Sequence, residues 1–430
     1  MKNLIAINCY NKTLIRFSKY LKRSQRRFDK PIRFDGFLSI DQLRIRPLAQ
    51  ALQPQLDQGR KRQRKAAEAA RFEQRLTTVV ANALVADDQA RPCRYSRRKS
   101  TYSGPSRFYP AYIRSEALVE LVDQMEVAGY LEHTKANPGT HEERQSTFRA
   151  TPLLKRELSL IGISIDQVRG LAEAAPVIEF RNDRKERLEN EEFLAFLKPQ
   201  AGLIRQHYAQ LATHEFTLGA GRKPMRLLTP MRRIFNNGSL EQGGRFYGGW
   251  WQNVRSKLRS TIEIDGQETV ELDYSGFMPR ALYHSLGIDY AEDPYDLPDV
   301  YAAAEAEGFS RKKARDGIKR IFLVLLNGRD ERMEPSSVSL PAGISRSDVF
   351  DLLREKHKAL SSFFHSGITV NLMKNESDIC EAILRDGIKD GVPVLPIHDS
   401  YIVPLASKSW LLDKMKNHYF IMFGYNPIIK

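Results

Sequence analysis

The chain has 430 residues, enough for two or three domains with their own cores, and its 42% hydrophobic content is typical of a soluble protein. No apolar run approaches the roughly 18 residues of a membrane-spanning helix, so we expect no membrane partner. The three scattered cysteines, Cys9, Cys93 and Cys380, exclude a disulfide framework and a cysteine zinc site and favour a reducing, cytoplasmic compartment.

The net charge of +15 is concentrated at the front of the chain. Residues 1–100 hold 24 Lys/Arg against 8 Asp/Glu, or +16, so the remaining 330 residues hold 43 against 44, or −1. This asymmetry predicts that the front contacts a polyanion, most simply nucleic acid phosphates, and a nucleoid-associated location follows. A solvated arm explains the first 65 residues equally well. Residues 2–28 contain no acid, as in an organelle transit peptide, but we favour a basic amphipathic arm.

Residues 1–75 are therefore predicted to be a basic arm, partly disordered or helical, and residues 76–155 a winged-helix DNA-binding module. Ser115 can cap a helix whose apolar residues recur at helical spacing up to Gly129. The segments Tyr130–Thr134 and Gln145–Thr151 are predicted strands around a polar loop. Helix, strand, loop and strand resemble a winged helix, although any small α+β module has this pattern. The residues placed on or beside the wing are His141, Arg144 and Arg149.

Residues 156–250 are mostly helical in pattern and are predicted to be a thumb-like connecting region. A β-hairpin follows within the predicted core at 251–430. Its strands, Thr261–Ile264 and Glu268–Asp273, flank the turn Asp265-Gly266, and Asp-Gly between alternating strands is a strong hairpin signal. Asp273 is thus placed at a strand end.

Two short acidic stretches enclose a basic helix. They are VELDYSG at 270–276 and LPIHDSYIV at 395–403, where the second is a predicted hairpin with Asp399 at its tip. Between them a helix places Arg315, Lys319, Leu323 and Asn327 four residues apart. Each Asp alone is typical of a turn. In this order, two carboxylates can hold a pair of Mg²⁺ ions while the cations bind a triphosphate, as nucleotidyl transfer requires.

From about Arg226 onwards the chain resembles the palm and fingers of DNA polymerase I–type enzymes and of single-subunit phage and mitochondrial RNA polymerases. A compact member, like those of mobile elements or phages, is the nearest likeness. The resemblance rests on four motifs. They are Asp273-Tyr-Ser with Arg280 and His284, similar to motif A; Arg315, Lys319 and Gly328, similar to motif B; His398-Asp399-Ser400, similar to motif C; and Gly244-Arg245-Phe-Tyr247, similar to a nucleic-acid-contacting stretch of the RNA enzymes.

The resemblance implies an α+β right-hand polymerase fold, with thumb, palm with an antiparallel sheet, and fingers, preceded by the winged-helix module. Asp273, Asp399 and the Tyr274 carbonyl would hold two Mg²⁺ ions, for which Mn²⁺ can substitute. Arg315 and Lys319 would bind the nucleoside triphosphate, with Lys319 as proton donor. The side chains implied to contact the DNA template or primer are Arg245, Arg280, His284 and His398.

Two departures from the family leave the sugar choice open. Met278 replaces the Glu that screens the ribose 2′-OH in the DNA enzymes, and Asn327 replaces the usual Tyr near the nascent base pair. DNA synthesis is slightly favoured, and RNA polymerase or primase activity is the alternative. The other rivals are a non-enzymatic DNA-binding replication initiator and a two-metal nuclease. Pro393 and Pro396 cannot donate ladder hydrogen bonds, which predicts an edge strand or a local distortion at the motif C hairpin.

Overall fold

Helices and β-sheets are mixed throughout the part of the chain that the structure describes, which confirms the predicted α+β class. The structure is a computed structural model that describes residues 31–57, 65–98, 101–102, 108–113, 115–136, 145–328 and 338–430. The chain divides into two compact units, Met1–Pro176 and Val177–Lys430.

The first unit is built around a four-stranded sheet and two long helices. Its elements are β1 (Ile32–Arg33), β2 (Leu38–Ser39), α1 (Gln42–Leu56), α2 (Ala66–Asp88), β3 (Cys93–Tyr95), α3 (Ser115–Val127), β4 (Leu131–Thr134), β5 (Ser146–Ala150), α4 (Pro152–Leu160) and β6 (Arg169–Gly170). The sheet has the order β1-β3-β5-β4, with β1 parallel to β3 and the other neighbours antiparallel. Strands β2 and β6 form a separate antiparallel pair.

The predicted boundary between a basic arm and a folded module at residue 75 is wrong. Helix α2 crosses it, and α1 packs against α2. Phe34, Phe37, Ile45 and Leu52 are buried, because the apolar residues between the arginines supply a core face that the charge count does not reveal. Residues 1–30 of the predicted arm lie outside the described residues.

The helix and hairpin predicted between residues 115 and 151 are present. Gly129, in the left-handed region at φ 79°, follows the helix, and β4 pairs with β5 from Leu131 opposite Ala150 to Thr134 opposite Thr147. Arg149 is exposed on β5. His141 and Arg144 of the predicted wing lie outside the described residues. The winged-helix assignment itself stays a prediction.

The second unit contains the two acidic stretches. Its elements are β7 (Ile178–Arg181), β8 (Arg187–Leu188), α5 (Glu191–Phe196), α6 (Lys198–Leu211), β9 (Phe216–Leu218), β10 (Lys223–Met225), β11 (Arg232–Phe235), β12 (Gly243–Tyr247), α7 (Ser256–Arg259), β13 (Ile262–Ile264), β14 (Gln267–Asp273), α8 (Phe277–Ser285), α9 (Pro298–Ala306), α10 (Arg311–Asn327), α11 (Arg346–Lys356), α12 (Thr369–Asp390), β15 (Leu395–Ile397), β16 (Ser400–Pro404) and α13 (Lys408–Phe423).

The prediction of a mostly helical region at 156–250 is wrong. Strands β6 to β12 all lie within it, and each has only two to five residues. Strands this short carry too few alternations for a period of two to stand out in the sequence. Four of them form a sheet of order β12-β11-β7-β8, in which β7 and β11 are parallel. The boundary at 250 is wrong as well, because β9 pairs with β13 and, together with β10, belongs to the same sheet.

A six-stranded antiparallel sheet of order β10-β9-β13-β14-β16-β15 carries the acidic stretches. The predicted hairpin of β13 and β14 is confirmed, and Asp265 and Gly266 adopt φ values of 52° and 75°, as a type I′ turn requires. Strand β15, which contains Pro396, is an edge strand as predicted. Near the end of the chain, Ile429 forms an isolated antiparallel bridge with Tyr274.

None of the helices in the described part of the chain is long and apolar enough to cross a membrane.

Candidate active site

Asp273 and Asp399 lie side by side at one end of the six-stranded sheet. Asp273 is the last residue of β14, and Asp399 is the second residue of the turn between β15 and β16. Asp273 is opposite Ser400 in the strand register, and the Tyr274 amide donates a 3.1 Å hydrogen bond to the Asp399 carbonyl. Opposite residues on antiparallel strands are about 5 Å apart. The sheet therefore brings together the two carboxylates predicted as metal ligands.

A third carboxylate, Glu271, lies behind the pair. It is two residues before Asp273 on β14, so both side chains are on the same face of the sheet. The Ser400 hydroxyl donates a 3.0 Å hydrogen bond to Glu271, and Arg259 forms a two-point contact with the same carboxylate at 2.6 and 2.9 Å. These contacts fix the turn that presents Asp399.

The ionisation of the two aspartates is coupled. The pKa of Asp273 is raised to about 7. The larger cause is burial of its carboxyl group, and the second is the negative charge of Asp399. Burial also raises the pKa of Asp399, although its own backbone amide, Arg245 and Lys319 oppose the rise. Asp273 is nevertheless open to solvent on one side, and Asp399 is half-buried. A cation can therefore reach two carboxylates whose repulsion it would relieve.

Helix α10 brings Lys319 to the carboxylates. Its apolar face, which includes Ile318, Ile321 and Phe322, is buried in the core, so Lys319 is on the exposed side. The positive charge of Lys319 opposes the pKa rise of both aspartates. The predicted basic helix and the two predicted aspartates thus converge.

Arg315 lies one turn before Lys319 but is bound to another residue. Its Nε and Nη2 each donate a 3.1 Å hydrogen bond to the carboxylate of Asp293. Both cations face the ring of Tyr295, with the Arg315 Cζ 5.0 Å and the Lys319 Nζ 5.9 Å from its centroid. Arg315 would have to leave Asp293, at least in part, to bind a triphosphate.

Tyr274 is held rigidly at the strand end. Its side chain is buried, and its hydroxyl donates a 2.7 Å hydrogen bond to the Met415 carbonyl. The backbone on either side is paired with the last residues of the chain, since the Asp273 amide donates to Lys430 and the Ser275 amide donates to Ile428. The Tyr274 carbonyl, a predicted metal ligand, is therefore part of a fixed backbone.

Met278 and Asn327 lie on different helices. Met278 is partly buried on the first turn of α8 and packs against the core of the unit. Asn327 ends α10, where its amide donates a 2.9 Å hydrogen bond to the Leu323 carbonyl and accepts one from Thr369. The side chain of Asn327 therefore links α10 to the start of α12.

Arg280 and His284 do not fit the predicted contacts with a nucleic acid strand. Both are 4% exposed. Arg280 donates to backbone carbonyls, including those of Ser275 at 2.8 Å and Glu292 at 2.7 Å, which fixes the segment between α8 and α9. The His284 Nδ1 is 2.9 Å from the Tyr419 hydroxyl. Because the two residues are four apart in sequence, both lie on the buried face of α8. Their role is structural.

Arg245 and His398 form the other wall of the site. Arg245 donates a 2.9 Å hydrogen bond from Nε to Glu376, which is 1% exposed, and a second one from Nη2. Burial and the charge of Arg245 lower the pKa of His398 to about 4, so this imidazole is neutral. Its Nδ1 has no hydrogen-bond partner among the described residues. Its ring lies 5.4 Å from that of Tyr247 in an edge-to-face contact.

Sequence reasoning missed Glu271 and Glu376 as parts of this site. Glu271 was detectable, because it alternates with Asp273 along a predicted strand. Glu376 was not, because its position on α12 gives no local sign that it meets Arg245. Burial would raise the pKa of Glu376 to about 7 even with Arg245 opposing the rise, so the pair is strongly coupled.

In the first unit, Asp123, Glu126 and His133 bring their ligand atoms within 4.8 Å of one another. Arg97 binds Asp123 through two hydrogen bonds of 2.5 and 2.8 Å, and Lys135 is 3.4 Å from Glu126. These cations already neutralise the carboxylates, so the group is an ion-pair cluster. The predicted metal ligands therefore remain Asp273 and Asp399 of the second unit.

No protein-family model and no curated protein matches this chain. What the site does must therefore be inferred from its residues.

Proposed function

We propose that this protein is a template-dependent nucleic-acid polymerase that transfers nucleotides by a two-metal mechanism. One observation supports this above the others: Asp273 and Asp399 meet at adjacent strand ends and are faced by Lys319 of a basic helix. Phosphoryl transfer needs positioning and charge neutralisation and no covalent nucleophile, and this arrangement provides both.

The donor set fits Mg²⁺. Asp273, Asp399 and the Tyr274 carbonyl offer only oxygen, the ligand type that Mg²⁺ and Mn²⁺ prefer. The pKa of both aspartates is raised, so a bound cation would stabilise their ionised forms. When bound, the ions would supply charge neutralisation at the attacking and leaving oxygens.

Lys319 and Arg315 are the residues we assign to the triphosphate. Lys319 is exposed and directed to the carboxylates, where it can neutralise the leaving pyrophosphate and donate a proton to it. Arg315 would exchange Asp293 for phosphate oxygens, which match its planar fork equally well. The ring of Tyr295 beneath both cations limits their rotation.

In this proposal the six-stranded sheet is the palm, α10 belongs to the fingers, and α3 with the β4–β5 hairpin is a winged-helix contact to DNA. DNA synthesis is slightly favoured, on the likeness of Asp273-Tyr-Ser to the DNA enzymes. RNA or primer synthesis is the alternative, supported by His398-Asp399-Ser400 and by Met278 in place of a Glu. A non-enzymatic replication initiator is the rival from another class.

Primer extension tests the proposal. The protein is given a primed DNA template and Mg²⁺, with either deoxynucleoside or nucleoside triphosphates, and extension is followed on a gel. Asp273→Asn and Asp399→Asn are each expected to lower the rate at least about 100-fold, the scale of losing one contact to transition-state charge. Asp386→Asn is the matched control, because Asp386 is a partly buried carboxylate that binds Lys414 and His418 instead.

Each outcome decides between the alternatives. Extension with only one nucleotide set identifies the enzyme as a DNA or an RNA polymerase. If both Asn variants keep wild-type activity, the assignment of the site is wrong. If the wild type binds the template but extends it with neither nucleotide set, the initiator is favoured over the polymerase.

A further inference from the structure

An acidic segment between α8 and α9 lies beside the first half of the basic helix α10. Residues 289–297 read DYAEDPYDL, with four acidic side chains among nine residues. Asp293 is 3.1 Å from Arg315, and Asp296 is 3.7 Å from Arg311, one helical turn earlier. Two carboxylates three residues apart thus pair with two arginines that are four residues apart on α10.

The contact between Asp293 and Arg315 uses the donors that a phosphate would use. The Arg315 Nε donates to one carboxylate oxygen of Asp293 and the Nη2 donates to the other, both at 3.1 Å. Carboxylates and phosphates accept from a guanidinium in this same two-point geometry. They cannot hold the same two donors at once, so Asp293 takes the place of two phosphate oxygens.

The carboxylate of Asp293 is held in place by its own segment of the chain. Its Oδ1 accepts a 3.0 Å hydrogen bond from the Tyr295 amide, which closes a short turn. The neighbouring Glu292 carbonyl accepts a 2.7 Å hydrogen bond from the buried Arg280. The long side chain of Arg315 can rotate while this segment stays fixed. When a ligand arrives, Arg315 is therefore the partner that moves.

The ion pair is open enough to solvent to be exchanged. The Arg315 side chain is 33% exposed and that of Asp293 is 40% exposed. Ion pairs in contact with water contribute little free energy, because water and salt screen the attraction. A triphosphate carries more charge than one carboxylate and would also contact Lys319, so it can displace Asp293. Its apparent affinity is still reduced by the fraction of molecules in which Arg315 is occupied.

We propose that Asp293 is a built-in competitor that lowers the affinity of the site for a triphosphate by holding Arg315 until phosphate oxygens displace it. The inference rests on the proposed function for the identity of the ligand, and it adds a residue that sets how tightly the ligand binds. The return of Arg315 to Asp293 would also favour the release of pyrophosphate.

Titration calorimetry of the full chain with inorganic tripolyphosphate and Mg²⁺, in the absence of nucleic acid, tests the inference. Asp293→Asn should bind tripolyphosphate about 3- to 5-fold more tightly, the scale of one partly exposed ion pair. Asparagine has the shape of aspartate, and its Oδ1 can still accept from the Tyr295 amide. The segment should therefore keep its conformation.

Glu292→Gln is the matched control for the loss of one negative charge. Glu292 is the preceding residue, but it is 75% exposed and lies 3.4 Å from Lys356 of α11, away from the triphosphate cations. The control should leave the affinity nearly unchanged. A double-mutant cycle then isolates the contact: Asp293→Asn should give no gain in an Arg315→Ala background, where the competitor has nothing to hold.

Tighter binding that depends on Arg315 supports the inference. Asp293→Asn protein that binds tripolyphosphate no more tightly than the wild type overturns it, and so does an equal gain from Glu292→Gln or in the Arg315→Ala background. If Asp293→Asn does not fold, Asp293→Ser takes its place, because a serine hydroxyl can accept from the Tyr295 amide. Primer extension is a separate measurement, so its failure would contradict the proposed function and leave this comparison intact.

Discussion

Two negative charges at adjacent strand ends destabilise the folded chain when nothing neutralises them. Because the pKa of Asp273 is raised from 3.8 to about 7, the repulsion is fully present above pH 7 and is relieved as the pH falls towards 3.8. At pH 8 without Mg²⁺, Asp273→Asn should raise the unfolding temperature by about 2–4 °C, as expected for roughly 1 kcal/mol in a unit of this size. Mg²⁺ should stabilise the wild type and not the variant.

Thermal unfolding with and without Mg²⁺, at pH 8 and at pH 5, checks this prediction. The exposed Asp351, paired with Arg354, provides the control Asp351→Asn. This substitution should leave the unfolding temperature unchanged both with and without Mg²⁺. A wild type that Mg²⁺ does not stabilise would contradict the metal assignment directly. At the scale of residues, the sequence predicted both aspartates and Lys319 correctly as neighbours, but it could not tell that Arg280 and His284 are buried.

Close packing of α12 against the segment before β15 depends on one glycine. A Cβ on Gly387 would lie 2.8 Å from the Val394 side chain and 2.9 Å from the Val392 carbonyl. Gly202, within α6, has no atom within 4 Å of such a Cβ. Alanine is favoured over glycine within a helix by about 1 kcal/mol, so the same substitution should have opposite effects at the two positions.

Gly387→Ala is expected to lower the free energy of unfolding by about 1–3 kcal/mol, the usual cost of overpacking. Gly202→Ala should raise it by up to about 1 kcal/mol. Urea unfolding of both variants measures the difference. Equal effects would mean that α12 can move away from Val394.

At the scale of elements, short sequence signals correctly predicted the features that depend on neighbouring residues. The Asp265-Gly266 turn, the edge position of β15 and the basic helix α10 all follow from residues close together in the chain. Strands β6 to β12 did not, because strands of two to five residues are stabilised by partners that lie elsewhere in the sequence.

Acid should destabilise the second unit through two buried histidines. The Nε2 atoms of His207 and His357 are each 2.8 Å from a backbone carbonyl, those of Val394 and Pro294. Burial lowers the pKa of both from 6.5 to about 4. The unfolded chain takes up protons below pH 6.5 and the folded chain does not, so their stabilisation is complete above pH 6.5 and is lost as the pH falls to about 4.

The difference between 6.5 and about 4 corresponds to roughly 3 kcal/mol for each histidine. Urea unfolding between pH 7.5 and pH 4.5 measures it. His357→Gln should be less stable than the wild type at pH 7.5 and should lose less stability on acidification. An identical pH dependence in the two proteins would show that His357 is protonated while folded.

At the scale of the whole molecule, the sequence and the tertiary structure determine different features. The sequence by itself determined the α+β class, the hairpin and helix that carry Asp273, Lys319 and Asp399, and the order of the motifs, because turn chemistry and helical periodicity act over a few residues. Tertiary structure alone decided the rest. It determined that residues 31–57 join a folded unit, that Glu376 meets Arg245, and that Asp293 holds Arg315, because strand register and side-chain packing join residues that are distant in the chain.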